Sequence, residues 1–154
     1  TKESLYRQVV QNIFQIWLQA ADIFDMADGP AEGIGAYIDA KMEISRRHPA
    51  GSKVWATEVM HGAPVIQDYL ETTLTEWTKG RTSVIHRWIE EGRMDSIDPD
   101  HLLYMLWATT QHYADFGHQI ETLNGGTPLT NTQWNAAKAS VKRIILRGIG
   151  ATTP

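Results

Sequence analysis

Tyr104, Trp107, Gln111 and Asp115 recur at intervals of three or four within the stretch LLYMLWATTQHYADF. Residues at those intervals share one face of a helix. A glutamine beside a tryptophan on a helix this apolar has to find hydrogen-bonding partners, because an unsatisfied buried amide costs about 1–3 kcal/mol. One arrangement that supplies them is a small-molecule pocket, with Trp107 as an aromatic wall and Gln111 as a group that both donates and accepts. Trp17 and Trp55 would add further walls; the chain holds six tryptophans in all. The same pattern fits a plain core in which the tryptophans only pack and Gln111 bonds a neighbouring helix or a dimer partner. Spacing alone leaves both open.

Metal chemistry finds less support. Glu58 and His61 have the Glu-x-x-His spacing of di-iron bundles, which need that motif on two helices and two further glutamates. The nearest second copy, Asp115 with His118, replaces Glu by Asp, and His112, Asp115 and His118 spread over too wide an arc for a compact site. No metal is expected. Cysteine is absent, which removes thiolate chemistry, disulfides and Cys-ligated metals. There is no Gly-x-Ser-x-Gly elbow and no glycine-rich phosphate loop; Asn124-Gly125-Gly126 reads as a helix stop. The sequence carries no catalytic constellation and implies no cofactor, so the chain reads as a non-enzyme.

Composition bounds the rest. The 154 residues are 42% hydrophobic and 21% charged, values of one globular domain with room for a core. The formal net charge is −4. Phosphate binding needs clustered Lys and Arg, whereas Arg46-Arg47 and the set Lys138, Lys142, Arg143, Arg147 read as ordinary charge at helix C-termini. By itself the chain is not expected to bind nucleic acid. No apolar run reaches the roughly 18–20 residues that span a bilayer, and no leader is evident, so a cytoplasmic address is expected.

The elements that would position these residues are helical. Apolar periodicity predicts a first helix from Lys2 to about Phe24, capped by Thr1, and a second from Pro30 to Arg47, closed by Pro49. A short third helix spans Gly51 to Met60. A long fourth starts at Pro64 and ends at Gly92, with a kink possible at Gly80. The fifth opens at Asp98-Pro99, a strong N-terminal signal. It runs to about Leu123, apolar nearly all round and therefore central. Thr130 with Gln133 forms a capping box for the sixth. Six helices and no strand signal predict an all-α domain.

The fifth helix continues to offer apolar residues late in its course (Tyr113, Phe116, Ile120, Leu123), and the sixth presents Val141, Ile144 and Ile145. Two such helices meeting their symmetry mates would form a four-helix, two-fold dimer interface. Completion of the monomer core explains the same stripes equally well.

The opening Thr1-Lys2-Glu3-Ser4-Leu5 starts on a helix without a frayed lead-in and reads as a cut between domains. It resembles the junction that ends the DNA-binding headpiece of TetR-family repressors. The segments EISRRHPAGSKVWATEVMHGAP, IDPDHLLYMLWATTQHYADF and VKRIILRGI extend the resemblance over nearly the whole chain. The match is closest to those members that govern pyrimidine use. The resemblance implies that residues 1–154 are a ligand-binding and dimerisation domain, with the helix-turn-helix missing ahead of the first helix. It implies a homodimer, DNA contact only through that absent domain, and a small effector such as uracil. Trp17, Trp107 and Gln111 are the first pocket residues carried over, with Trp55, Glu58 and Tyr104 behind them. A flat pyrimidine stacking on tryptophan gains roughly 0.5–1.5 kcal/mol beyond area, and one amide can meet a carbonyl and an adjacent N–H together. A TetR-type sensor of another ligand, a carboxylate-bridged metal bundle and a ligand-free helical interaction module are the alternatives.

Overall fold

Thr1 caps the first helix as its residue type predicts. Its hydroxyl accepts from the Ser4 N–H, and Ser4 reciprocates. In the computed structural model, which describes residues 1–151, α1 spans Lys2–Ala21 and buries Val10, Ile13, Phe14, Trp17 and Ala21. The helix stops three residues short of the expected end. A single turn, α2 (Ile23–Met26), comes next and turns Phe24 into the core.

Pro30 opens α3 (Pro30–Arg47). Pro49, expected to close that helix, instead sits in the first turn of α4 (Pro49–Met60), with His48 as the only break. Proline lacks only an N–H that a first turn leaves unbonded anyway, so it starts a helix as readily as it ends one. The next helix begins later than Pro64. A short α5 (Gln67–Tyr69) runs through a wide π turn at Leu70–Leu74 into α6 (Thr75–Glu90). The helical irregularity therefore falls at Leu70–Leu74 and not at Gly80, where a glycine's propensity cost of about 1 kcal/mol is too small to break a packed helix.

Asp98 caps α7 (Pro99–Asp115) by accepting from the N–H groups of Asp100 and His101. The expected single helix to Leu123 is broken at Phe116, whose backbone leaves the helical region, and α8 (Gly117–Leu123) continues in a new direction. α7 is buried on one face only, through Leu102, Leu103, Leu106, Thr110 and Ala114. Tyr104 and Met105 lie on its open side, so the expectation of all-round burial does not hold for the protomer. The last helix, α9 (Asn131–Gly148), carries the Thr130–Gln133 capping box as predicted. Among the described residues there is no strand, and the fold is all-α.

α3 is the hub, packing against α1, α2, α7 and α9. Two apolar clusters result. The larger, around Phe24, Tyr37, Trp88 and Leu106, is built by α2, α3, α6, α7 and α9. The smaller, around Phe14, Trp17, Trp55 and Ile66, fills the space between α1 and α4. No helix among the described residues is long and apolar enough to cross a membrane.

Candidate effector pocket

Where the two clusters meet, α1, α3, α4, α6 and α7 leave a cavity of about 180 Å³. That is small against the 300–1,000 Å³ typical of pockets for drug-sized ligands, and it suits a single ring. α1 sends in Trp17 and α4 sends in Trp55, whose rings meet edge to face at 5.5 Å. Phe14, which also lines the cavity, stacks on Trp55 at 4.9 Å and fixes its plane. α7 contributes Trp107 and Gln111, and α6 contributes Trp77, whose ring centroid lies 6.0 Å from that of Trp107. Leu70 and Leu74 of the π turn close the apolar wall. Single π turns recur at functional sites because they re-aim side chains within a helix.

The polar groups gather on one side. Trp107 donates its indole N–H to the Tyr37 hydroxyl at 3.1 Å. Lys41 is 1% exposed. Its Nζ donates to Gln111 Oε1 at 3.1 Å and stands 4.1 Å from the centroid of the Trp17 ring. The Trp17 indole N–H is buried without an acceptor. Burial pulls the Lys41 ammonium down to about 7, opposed by the charge of Asp115. Burial likewise pushes the Tyr37 phenol well up, against its hydrogen bond from Trp107 and the Arg81 charge. The floor is held by clips between helices. Ser45 Oγ donates to the Thr110 carbonyl, and Ser52 Oγ donates to Asp115.

Four of the six expected pocket residues thus converge: Trp17, Trp55, Trp107 and Gln111. Two do not. Glu58 is buried but lies outside the lining, where its carboxylate accepts from the Tyr6 hydroxyl and the Val65 N–H. It ties α1 and α4 to the turn in which Ala63 adopts a positive φ of 55°. Tyr104 is 53% exposed and only flanks Trp107 from outside. Lys41, Tyr37 and Trp77 line the cavity without having been expected there. Lys41 had a visible signal: it occupies the i+7 slot of the stripe Ile34, Tyr37, Ile38, Lys41, Met42, where a charge is out of place.

The metal motif does not assemble. His61 is exposed, its ring bonded to the carbonyl of Thr57, while Glu58 and Asp115 are already engaged. Among the described residues no group of three or more such side chains could hold an ion.

Of the seven expected interface residues, Val141 and Ile145 point into the protomer's own core, so they leave that set. Ile144 lies beside them on the helix surface, turned just far enough to the flank to face outward. Tyr113 is half-buried and packs on Trp134, and Ile120 is half-buried. Phe116, Leu123 and Ile144 are 54%, 82% and 67% exposed.

The helical domain thus holds an aromatic pocket where its two apolar clusters meet and exposes Phe116, Leu123 and Ile144 on its last helices. The profile described as "YcdC-like protein, C-terminal region" matches residues 10–152. The chain belongs to the TetR family of transcriptional regulators, within this C-terminal region. It is 38% identical over 149 residues to the HTH-type transcriptional regulator RutR of Escherichia coli (strain K12), covering 97% of this chain and 70% of that protein. The proteins of the same name from Escherichia coli O157:H7 and Shigella flexneri match to the same extent.

Proposed function

We propose that this domain senses an oxo-substituted pyrimidine such as uracil and, as a homodimer, passes its occupancy to helix-turn-helix domains joined ahead of α1, controlling genes for pyrimidine use. The observation that carries the reading is the cavity itself, in which Trp17, Trp55 and Trp107 supply flat walls, Lys41, paired with Gln111, stands over the Trp17 ring, and the Trp17 N–H has no acceptor. A buried donor without an acceptor is uncommon in a finished core, and a ring carbonyl satisfies it. α1 is the lever, because Trp17 near one end of it lines the pocket while its other end leads towards the DNA-binding partner. For coupling, the effector binds one dimer geometry better than the other, typically by about 1–3 kcal/mol.

Thermal melting with uracil, thymine, dihydrouracil, cytosine and a purine tests the reading. A ligand at 100 times its dissociation constant adds about 2.7 kcal/mol of stability. Uracil-like rings are expected to shift the wild-type transition and to leave Gln111→Ala unmoved. Identical melts with every compound exclude a pyrimidine effector.

The dimer is tested separately. Phe116, Ile120, Leu123 and Ile144 lie on the α7–α9 side, and the first, third and fourth are large apolar side chains open to solvent in the protomer. Monomeric proteins rarely leave such patches uncovered. Phe116→Asp with Ile120→Asp is expected to give monomers by light scattering, whereas an unchanged dimer would move the interface elsewhere.

A further inference from the structure

We infer that the pocket takes a flat ring whose inward edge carries only hydrogen-bond acceptors, with net negative charge preferred, and that Lys41 sets this preference. The inference rests on the cavity being the effector site.

The donors around the cavity decide which ligand edge fits. A lysine ammonium has donors only, so the Gln111 group facing it at 3.1 Å is the amide oxygen. That contact commits Gln111 Oε1 to Lys41 and leaves the amide NH2 for the cavity. Gln111 therefore has its amide NH2 free to donate, with one acceptor site of its oxygen already filled by Lys41. Tyr37 obeys the same logic: its oxygen accepts from Trp107, so its own O–H remains to be given away. The Trp17 N–H is free and buried. Lys41 has further hydrogens beyond the one it gives Gln111.

The residues that carry these donors, Trp17, Tyr37, Lys41 and Gln111, all belong to the cavity lining, and no carboxylate among the described residues does. Asp115, whose charge acts on Lys41 from α7, is held by Ser52 Oγ at 2.6 Å and stands outside the lining. The other elements present no opposing charge to Lys41. α1 offers Trp17, α4 offers Trp55, the π turn and α6 offer Leu70, Leu74 and Trp77, and its own helix offers Tyr37, held neutral by burial. An enclosed ammonium without a dedicated counter-ion attracts one, since low polarity strengthens the pairing. An amine on the ligand's inward edge meets donors instead and leaves buried groups unpaired, which is how a polar site rejects a near-isostere.

The test measures binding of uracil, cytosine, barbiturate (a ring of the same size, anionic at neutral pH) and nicotinate by calorimetry. It is run on the wild type, Lys41→Met and Lys41→Gln from pH 6 to 9. Barbiturate is expected to bind the wild type about tenfold or more tighter than uracil, and cytosine about tenfold or more weaker, the range of one charge-assisted or one mispaired hydrogen bond. The anion preference disappears in both variants. Because anion binding takes up a proton on Lys41, wild-type affinity for barbiturate falls with rising pH above about 7, towards tenfold per unit. The variants are flat over that range, and if neither folds the wild-type profile decides.

Pyrimidine binding with the same barbiturate-to-uracil ratio in wild type and variants, or with no pH dependence, overturns the role of Lys41 and leaves the pyrimidine reading intact. Lys41-dependent binding of nicotinate with no pyrimidine bound does the reverse. No binding by any of the four overturns both.

Discussion

Lys41→Met is expected to stabilise the ligand-free domain by about 1–4 kcal/mol at pH 7, as replacing buried charge with an apolar side chain of similar length commonly does. Lys41 is fully enclosed, and methionine fills the same volume without a charge to desolvate. The pH dependence identifies the cause. The unfolded lysine holds its proton up to about 10.5 and the native one only to about 7. Between those values the unfolded chain binds more protons, so this group makes wild-type stability rise with pH, by at most about 1.4 kcal/mol per unit. Below about 7 the penalty is present in full, and above about 10.5 it is gone. The advantage of the variant is therefore largest at pH 6–7 and shrinks towards pH 10. Loss of the partner of Gln111 Oε1 works the other way, at about 1–3 kcal/mol if no water replaces it. Urea unfolding of both proteins at pH 6, 7.5 and 9 measures the difference; a gap that does not narrow with pH would mean that Lys41 is not a buried cation in the native state. A residue that costs stability and lines a cavity is the kind of trade that binding sites make.

Trp88→Ala carries the other large effect, a loss of about 3–5 kcal/mol against a total that for domains is commonly about 5–15. Trp88 is among the largest fully buried side chains, stacked on Phe24 at 5.8 Å. α3 approaches it closely because residue 33 is glycine: a Cβ there would lie 2.9 Å from the Trp88 ring. The indole reaches from α6 to the α3 backbone, so its removal leaves a space that only a shift of the helices could close, and the cavity term adds to the lost burial. Trp88 does not line the pocket, so the folded fraction should bind effector with unchanged affinity while the urea midpoint drops steeply. A loss below about 1.5 kcal/mol, the scale of a tolerated core swap, would show that the larger cluster does not depend on Trp88.

The helices, their caps and the family are written in the residues alone. Thr1, Asp98-Pro99 and Thr130-Gln133 mark helix starts because capping chemistry is local, involving groups within three residues of one another. The same locality explains the misplaced boundaries. Pro49 and Phe116 are breaks whose consequence depends on how the next helix packs, and the π turn at Leu70–Leu74 has no cue in residue type. Trp17, Trp55, Trp107 and Gln111 were legible as candidates because bulky aromatics and a buried amide are conspicuous on helical stripes.

Which of the candidates share a cavity is a matter of tertiary packing. Glu58 and Tyr104 lie on the right helices, yet one is turned to the α4–α5 turn and the other to solvent. Val141 and Ile144 are neighbours on α9, yet one fills the core and the other faces outward, because a stripe does not state its partner. The pairing of Lys41 with Gln111 joins positions 70 residues apart. Periodicity reaches only one or two turns along a helix, whereas the donor inventory of the pocket depends on how α3, α1 and α7 cross.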